Sequence, residues 1–246
     1  MKEKPFPSQL LFFIEPPHDC NYLPHQKATT LFTDPRYPKD RHLQTRLFEH
    51  GFRRSGDHLY RPHCQGCQAC IPVRVPVADF RPRRSQRRAW QRNRDLTIRI
   101  LPAAFDNDHF LLYRRYIHTR HLGGGMENPT PDQYLDFLTA AWAETLFVEF
   151  RLKDHLLALC VLDCLDNGLS SVYTFFDPDY PERSLGVYTI LWTIYQARHI
   201  HLSWLYLGFW IETSPKMCYK NEYQPQERFQ GGSWEKIPFS GKLNLG

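Results

Sequence analysis

Three strand-like runs follow one another almost without a break, at residues 145–152, 156–163 and 169–176. The turns between them are short, one around Asp154 and one around Asp166-Asn167-Gly168, residue types that reverse a chain at little cost. Such short connections predict an antiparallel meander. Helical signals flank it. A helix over 106–122 ends at Gly123-Gly124-Gly125, and Thr130-Pro131 opens a second one, with threonine as N-cap and proline at the first helical position. Tyr134, Phe137, Leu138 and Ala141 fall on one face of that helix. With a strand at 96–101, a helix at 185–199, a strand at 204–209 and a helix at 216–222, residues 96–235 read as an α+β domain with a mostly antiparallel sheet. Residues 1–95 predict a separate basic, cysteine-bearing and proline-rich domain. Its apolar periodicity is poor, apart from a short helix over 40–51 and the alternation of Ile71, Val73, Val75 and Val77. Residues 236–246 read as a tail.

Charge narrows the partner. Residues 41–100 hold fourteen arginines, no lysine and four acids, a local charge of 14 − 4 = +10 in a chain of net charge +5. That lopsidedness suits a polyanion, and arginine rather than lysine favours two-point phosphate contacts and stacking on bases. The densest part, residues 81–94, carries Arg84, Arg87, Arg88 and Arg92 with Trp90 as a stacking platform, the mix expected for RNA. The bland reading is a solvated helical face. Apolar residues make up 42% of the chain, enough for a core, and no apolar run is long enough to span a bilayer. The run at 10–14 is too brief for a signal peptide, so the chain reads as cytosolic. Its seven cysteines then read as thiols or metal ligands. Cys64, Cys67 and Cys70, with distant Cys20, could hold zinc, an iron–sulfur cluster or nothing. Cys160 reads as core; Cys164 and Cys218 lack ligand spacing, and none of the seven has a motif for nucleophilic catalysis.

The element order is similar to that of the GCN5-related N-acyltransferase fold. Acyltransferases of that fold that use acetyl-CoA carry Arg/Gln-x-x-Gly-x-Gly/Ala after the fourth strand. Here the matching place reads Arg183-Ser-Leu-Gly186-Val-Tyr188, and the tyrosine counts against a CoA donor. Several further motifs resemble the aminoacyl-tRNA–protein transferases of the N-end rule. They are Cys20-Asn-Tyr-Leu-Pro24, Gly51-Phe-Arg-Arg-Ser-Gly56, Tyr60-Arg-Pro-His-Cys-x-x-Cys-x-x-Cys70 and Arg84-Ser-Gln-Arg-Arg-x-Trp90. Ser170-Ser-Val-Tyr-Thr-Phe-Phe-Asp-Pro178, Tyr206-Leu-Gly208 and Lys216-Met-x-Tyr-Lys220 continue the series. The branch most resembled is the bacterial aspartate/glutamate leucyltransferases, which implies transfer of leucine from leucyl-tRNA to proteins beginning with Asp or Glu, marking them for degradation. An arginyl donor with the same acceptors, a CoA-dependent acetyltransferase and a non-catalytic RNA-binding module are the alternatives. Eukaryotic relatives carry a comparable N-terminal cysteine set that has been linked to an iron–sulfur cluster, with different spacing.

Aminolysis of an aminoacyl ester needs positioning and an oxyanion donor more than a strong base, because an α-amine has a pKa of only about 7.7–8.0. No cofactor is needed for that chemistry. In this fold a splayed central strand exposes backbone amides, and residues 171–176 are the candidate. Tyr173 and Asp177 are the candidate proton-relay groups, with a strand aromatic and a turn residue as their bland readings. An acidic acceptor calls for a cation, and Arg53, Arg54, Arg183, Lys216 and Lys220 are the candidates.

Overall fold

The computed structural model describes residues 10–120 and 128–237. The strands are β1 (Phe12–Ile14), β2 (His18–Asp19), β3 (Lys27–Ala28), β4 (Thr30–Thr33), β5 (Arg53–Ser55), β6 (His58–Pro62), β7 (Ile71–Pro76) and β8 (Thr97–Pro102). After them come β9 (Thr145–Leu152), β10 (His155–Cys164), β11 (Gly168–Phe176), β12 (Trp204–Trp210), β13 (Gln226–Gln230) and β14 (Ser233–Ile237). The helices are α1 (Arg41–Glu49), α2 (Arg84–Arg92), α3 (Asn107–Arg120), α4 (Pro131–Leu138) and α5 (Leu185–His199).

The protein is α+β, built on an eight-stranded sheet in the order β14-β13-β7-β12-β11-β10-β9-β8. The expected meander is β9-β10-β11, antiparallel throughout. β7 lies between β12 and β13, so the sheet draws on residues from both sides of position 95. A four-stranded sheet, β1-β4-β6-β5, stands apart, and α1 packs its Leu43, Leu47 and Phe48 in a core shared with Tyr206 of β12.

Local chemistry explains the helices that position these strands. Thr130 caps α4 by accepting from the backbone of Gln133, whose side chain accepts in return from the Thr130 N–H, a reciprocal closure at a proline-led first turn. Asp40 caps α1 through the Leu43 N–H. α5 buries Leu185, Leu191 and Ile194 against one face of the sheet; Phe110 and Tyr113 of α3 and Tyr134 of α4 cover the other. The 216–222 helix is instead a short 3-10 turn over Cys218–Glu222. The glycine-marked end of α3 lies outside the described residues. Of the expected tail at 236–246, Lys236 and Ile237 close β14 and the rest lies outside the described residues. No described helix is long and apolar enough to cross a membrane.

Candidate active site

β11 and β12 are the one parallel pair among the described strands of the large sheet, and they stay together for only three residues. Gly168, Leu169 and Ser170 face Trp204, Leu205 and Tyr206, and beyond these the strands part. Irregularities on both sides mark the divergence. Leu162 pairs with Ser171 and Val161 with Tyr173, which leaves Val172 as an extra, bulged residue on β11. On β12 the register against β7 slips between Tyr206 and Gly208, and Gly208 adopts a φ of 79°. The result is a cleft along which β12 no longer covers the edge of residues 172–176.

Arg53 reaches from β5 into that cleft. Its Nη2 donates to the carbonyls of Ser171 at 3.1 Å and Val172 at 3.4 Å. Its Nη1 is buried and finds no hydrogen-bond partner among the described residues. A Cβ at position 208 would overlap the guanidinium, so glycine is what lets the arginine lie there. Lys220, from the 3-10 turn, is buried beside it. Its Nζ donates to the Phe209 carbonyl at 2.5 Å and lies 3.2 Å from the Met217 sulfur. Burial holds the Lys220 ammonium well below the usual amine range, and the charge of Arg53 pushes the same way. Tyr60 packs edge-on against Phe209, and burial pushes the Tyr22 phenol up to about 12 although Arg53 opposes the shift. Among the described residues no carboxylate pairs with Arg53 or Lys220. A largely buried guanidinium without an anion is costly, and a carboxylate-bearing ligand would complete it while favouring the charged form of Lys220 beside it.

Of the other cations expected to read an acidic acceptor, Arg54 and Arg183 are engaged elsewhere. Arg54 follows Arg53 in a strand, so its side chain points to the opposite face. Its fork closes on Asp163 at 2.6 and 2.8 Å and also donates to the Gly56 and Leu138 carbonyls, with both members of the pair 0% exposed. Gln44 and Thr145 donate to the same carboxylate, which makes a knot joining α1, β5, β9 and β10. Arg183 forks onto Asp95 with both contacts at 2.9 Å, bracing the entry to α5 against the end of α2. Lys216 is exposed.

Of the two proton-relay candidates, Asp177 is buried, and its carboxylate receives Arg115 at 2.9 Å, His155 at 2.9 Å and the Asp179 N–H at 3.0 Å. These contacts anchor the turn after β11, about 16 Å along an extended chain from Val172. Tyr173 follows the bulge directly and packs against Tyr113, Tyr116 and Phe137. Burial raises its phenol far above the ordinary range, so it stays protonated.

Among the described residues no group of three or more His, Cys, Asp or Glu side chains is arranged to share an ion. The Cys64 thiol points at the Thr29 carbonyl, 3.6 Å away. Burial, with the nearby Cys20, Cys64 and Cys67 thiols adding to it, pushes the Cys70 thiol up to about 12. The zinc or iron–sulfur expectation therefore finds no support in this donor set.

On α2, Arg84, Arg87, Arg88 and Arg92 are exposed and line one groove with Gln91. Trp90 is only partly exposed as a platform. It is half-buried against Tyr188 and Tyr195, with ring centroids 5.3 and 5.7 Å away. Tyr188, at the place of the small residue in a CoA cradle, packs its ring into the core on Phe150.

Two family models match, together covering most of the chain. "Arginine-tRNA-protein transferase, N terminus" aligns with residues 18–88 and "Arginine-tRNA-protein transferase, C terminus" with residues 108–230. The chain belongs to the arginine-tRNA-protein transferase family. This transferase is 52% identical to the aspartate/glutamate leucyltransferase of Alcanivorax borkumensis, over 93% of this chain and 95% of that one. It is 50% identical to the enzyme of that name from Pseudomonas fluorescens and 51% identical to that from Hahella chejuensis, over 92% and 93% of its length and 97% of theirs. Among solved structures, L-PGS from Bacillus licheniformis aligns at a TM-score of 0.46 and 11% identity, over 59% of this chain and 48% of that one, too little to carry a site across. Gly208, against which the Arg53 guanidinium lies, and Tyr60, packed on Phe209, are neighbours of the transferase's cleft that sequence reasoning left unassigned. Both sit inside family motifs, which is the signal that marks them.

Proposed function

We propose that this transferase moves leucine from leucyl-tRNA onto the N-terminal Asp or Glu of proteins in the cytoplasm, tagging them for degradation, on an acyltransferase-like core. The observation that carries the reading is the carboxylate-free Arg53, its buried Nη1 unpartnered among the described residues, with Lys220 beside it at the cleft between β11 and β12. The acceptor side chain enters as the missing anion, which sets its α-amine beside the backbone of residues 172–176. The amine nitrogen attacks the aminoacyl carbonyl, the N–C bond forms, the C–O bond to the tRNA ribose breaks, and the ammonium proton passes to the leaving oxygen. Backbone amides of the bulged strand are the candidate oxyanion donors, and Tyr173 is the nearer of the two relay candidates. Arg84, Arg87, Arg88 and Arg92 hold tRNA phosphates, with Trp90 behind them.

The relatives' shared name supports the leucyl donor, and the description of the family models favours arginyl-tRNA as the second reading. Labelled leucyl-tRNA and arginyl-tRNA, each incubated with peptides beginning Asp, Glu or Leu, separate the two. Label is expected to move from leucyl-tRNA to the Asp and Glu peptides and not to the Leu peptide. Transfer from arginyl-tRNA alone would overturn the donor, and no transfer to acidic peptides would overturn the site.

A further inference from the structure

A second hollow lies between α2 and α5, apart from the cleft. Its cavity volume is about 350 Å³, at the low end of what small-ligand pockets occupy. The floor is apolar, made by Val77, Phe80, Leu191 and Ile194, all of them buried. Trp90 and Tyr195 form a wall, with Tyr195 58% exposed. Arg87, Arg94 and Arg198 stand at the rim, and none of the three meets a carboxylate among the described residues.

An apolar, ring-walled hollow suits a flat aromatic body, and three unneutralised guanidinium groups at its mouth suit anions attached to that body. A nucleotide has both parts. Arg87 and Gln91 also line the outer groove with Arg84, Arg88 and Arg92, so a phosphate chain following that groove passes the mouth of the hollow. Within a stacked duplex a base cannot enter, whereas an unpaired one can turn out and stack on the rings.

We propose that this hollow receives one unstacked nucleobase of the donor tRNA, with Tyr195 and Trp90 against the ring and Arg87, Arg94 and Arg198 on the adjoining phosphates. The assignment rests on the tRNA reading of α2 given above. It makes the face between α2 and α5 a reader of unpaired RNA as well as an electrostatic surface.

The test measures binding of uncharged tRNA-Leu by fluorescence anisotropy across a salt series, with the intact protein and three variants. Tyr195→Ala is an exposed change whose melting temperature serves as a folding control. It should weaken binding about tenfold, the loss of one stacked base, with the salt slope unchanged. Arg94→Ala/Arg198→Ala should flatten the slope of log affinity against log salt by about 0.7–0.9 for each phosphate no longer neutralised. Arg84→Ala/Arg88→Ala tests the outer groove by the same slope. If Arg84→Ala/Arg88→Ala flattens the slope while the other two variants bind as the parent does, the hollow takes no base and the inference falls alone. If no variant changes affinity or slope, the tRNA reading of α2 falls with it.

Discussion

Gly208→Ala tests whether Arg53 sits in the cleft for a reason. The substitution acts twice. At a φ of 79° an L-residue costs about 1–2 kcal/mol of backbone strain, whatever surrounds it. The new Cβ would also overlap the Arg53 guanidinium, which must leave the Ser171 and Val172 carbonyls. Displacing the cation should strip Asp recognition, a loss of about 2–5 kcal/mol that amounts to roughly thirty- to several-thousand-fold in kcat/KM for an Asp peptide, with little change for the matching Asn peptide. In an Arg53→Ala background the collision has no partner, so adding Gly208→Ala should cost only the strain and leave discrimination where Arg53→Ala put it. Urea unfolding gives the stability term, and peptide-limited transfer kinetics give the discrimination term. A Gly208→Ala enzyme that keeps the parental Asp-to-Asn preference would refute the reasoning, because the guanidinium could then move without consequence.

Three further outcomes follow from the same geometry. Lys220 is held below the usual amine range, so it loses its charge as pH rises toward that range; the Asp-to-Asn ratio should fall with rising pH, and Lys220→Met should flatten the profile. A parental ratio that does not fall as pH rises would contradict this. Arg54→Leu leaves the Asp163 carboxylate buried and unpaired and should cost about 3–5 kcal/mol in chemical denaturation, whereas a loss under about 1 kcal/mol would deny the knot its structural role. Arg151 holds the Glu149 carboxyl down at about 2, with His109 also donating to it, against an ordinary 4.5. Stability from that group is therefore complete above about pH 4.5 and lost as pH falls through 2, worth about 3 kcal/mol, and Glu149→Gln should remove this part of the acid limb in thermal melts.

Much of the scaffold was legible because local signals were strong and consistent. The meander announced itself by its turns, α4 by its capping threonine and N1 proline, and α5 by its long apolar run. The short strands β1, β4, β5 and β6 did not, since three to five residues carry too little periodicity to separate strand from loop. Nor could the pattern place β7 inside the large sheet, because that depends on pairing with β12 and β13, more than a hundred residues away. The adjacent pair Arg53 and Arg54 shows the limit most clearly. Composition treats them alike, yet strand alternation sends one into the cleft and the other onto Asp163, and only the fold reveals which. Asp177 shows the same limit: its Asp-Pro-Asp setting fits a turn as well as a relay, and the hydrogen bonds from Arg115 and His155 hold it as a turn anchor.

On the proposed reading, Arg53 binds the acceptor's carboxylate at the split between β11 and β12. Its most direct test is leucine transfer from leucyl-tRNA to matched Asp and Asn peptides under limiting peptide, by the parent and by Arg53→Ala, with tRNA affinity measured in parallel. Arg53→Ala should collapse the Asp-to-Asn preference while tRNA affinity and folding stay at parental values. An Arg53→Ala enzyme that still prefers Asp as the parent does would contradict it.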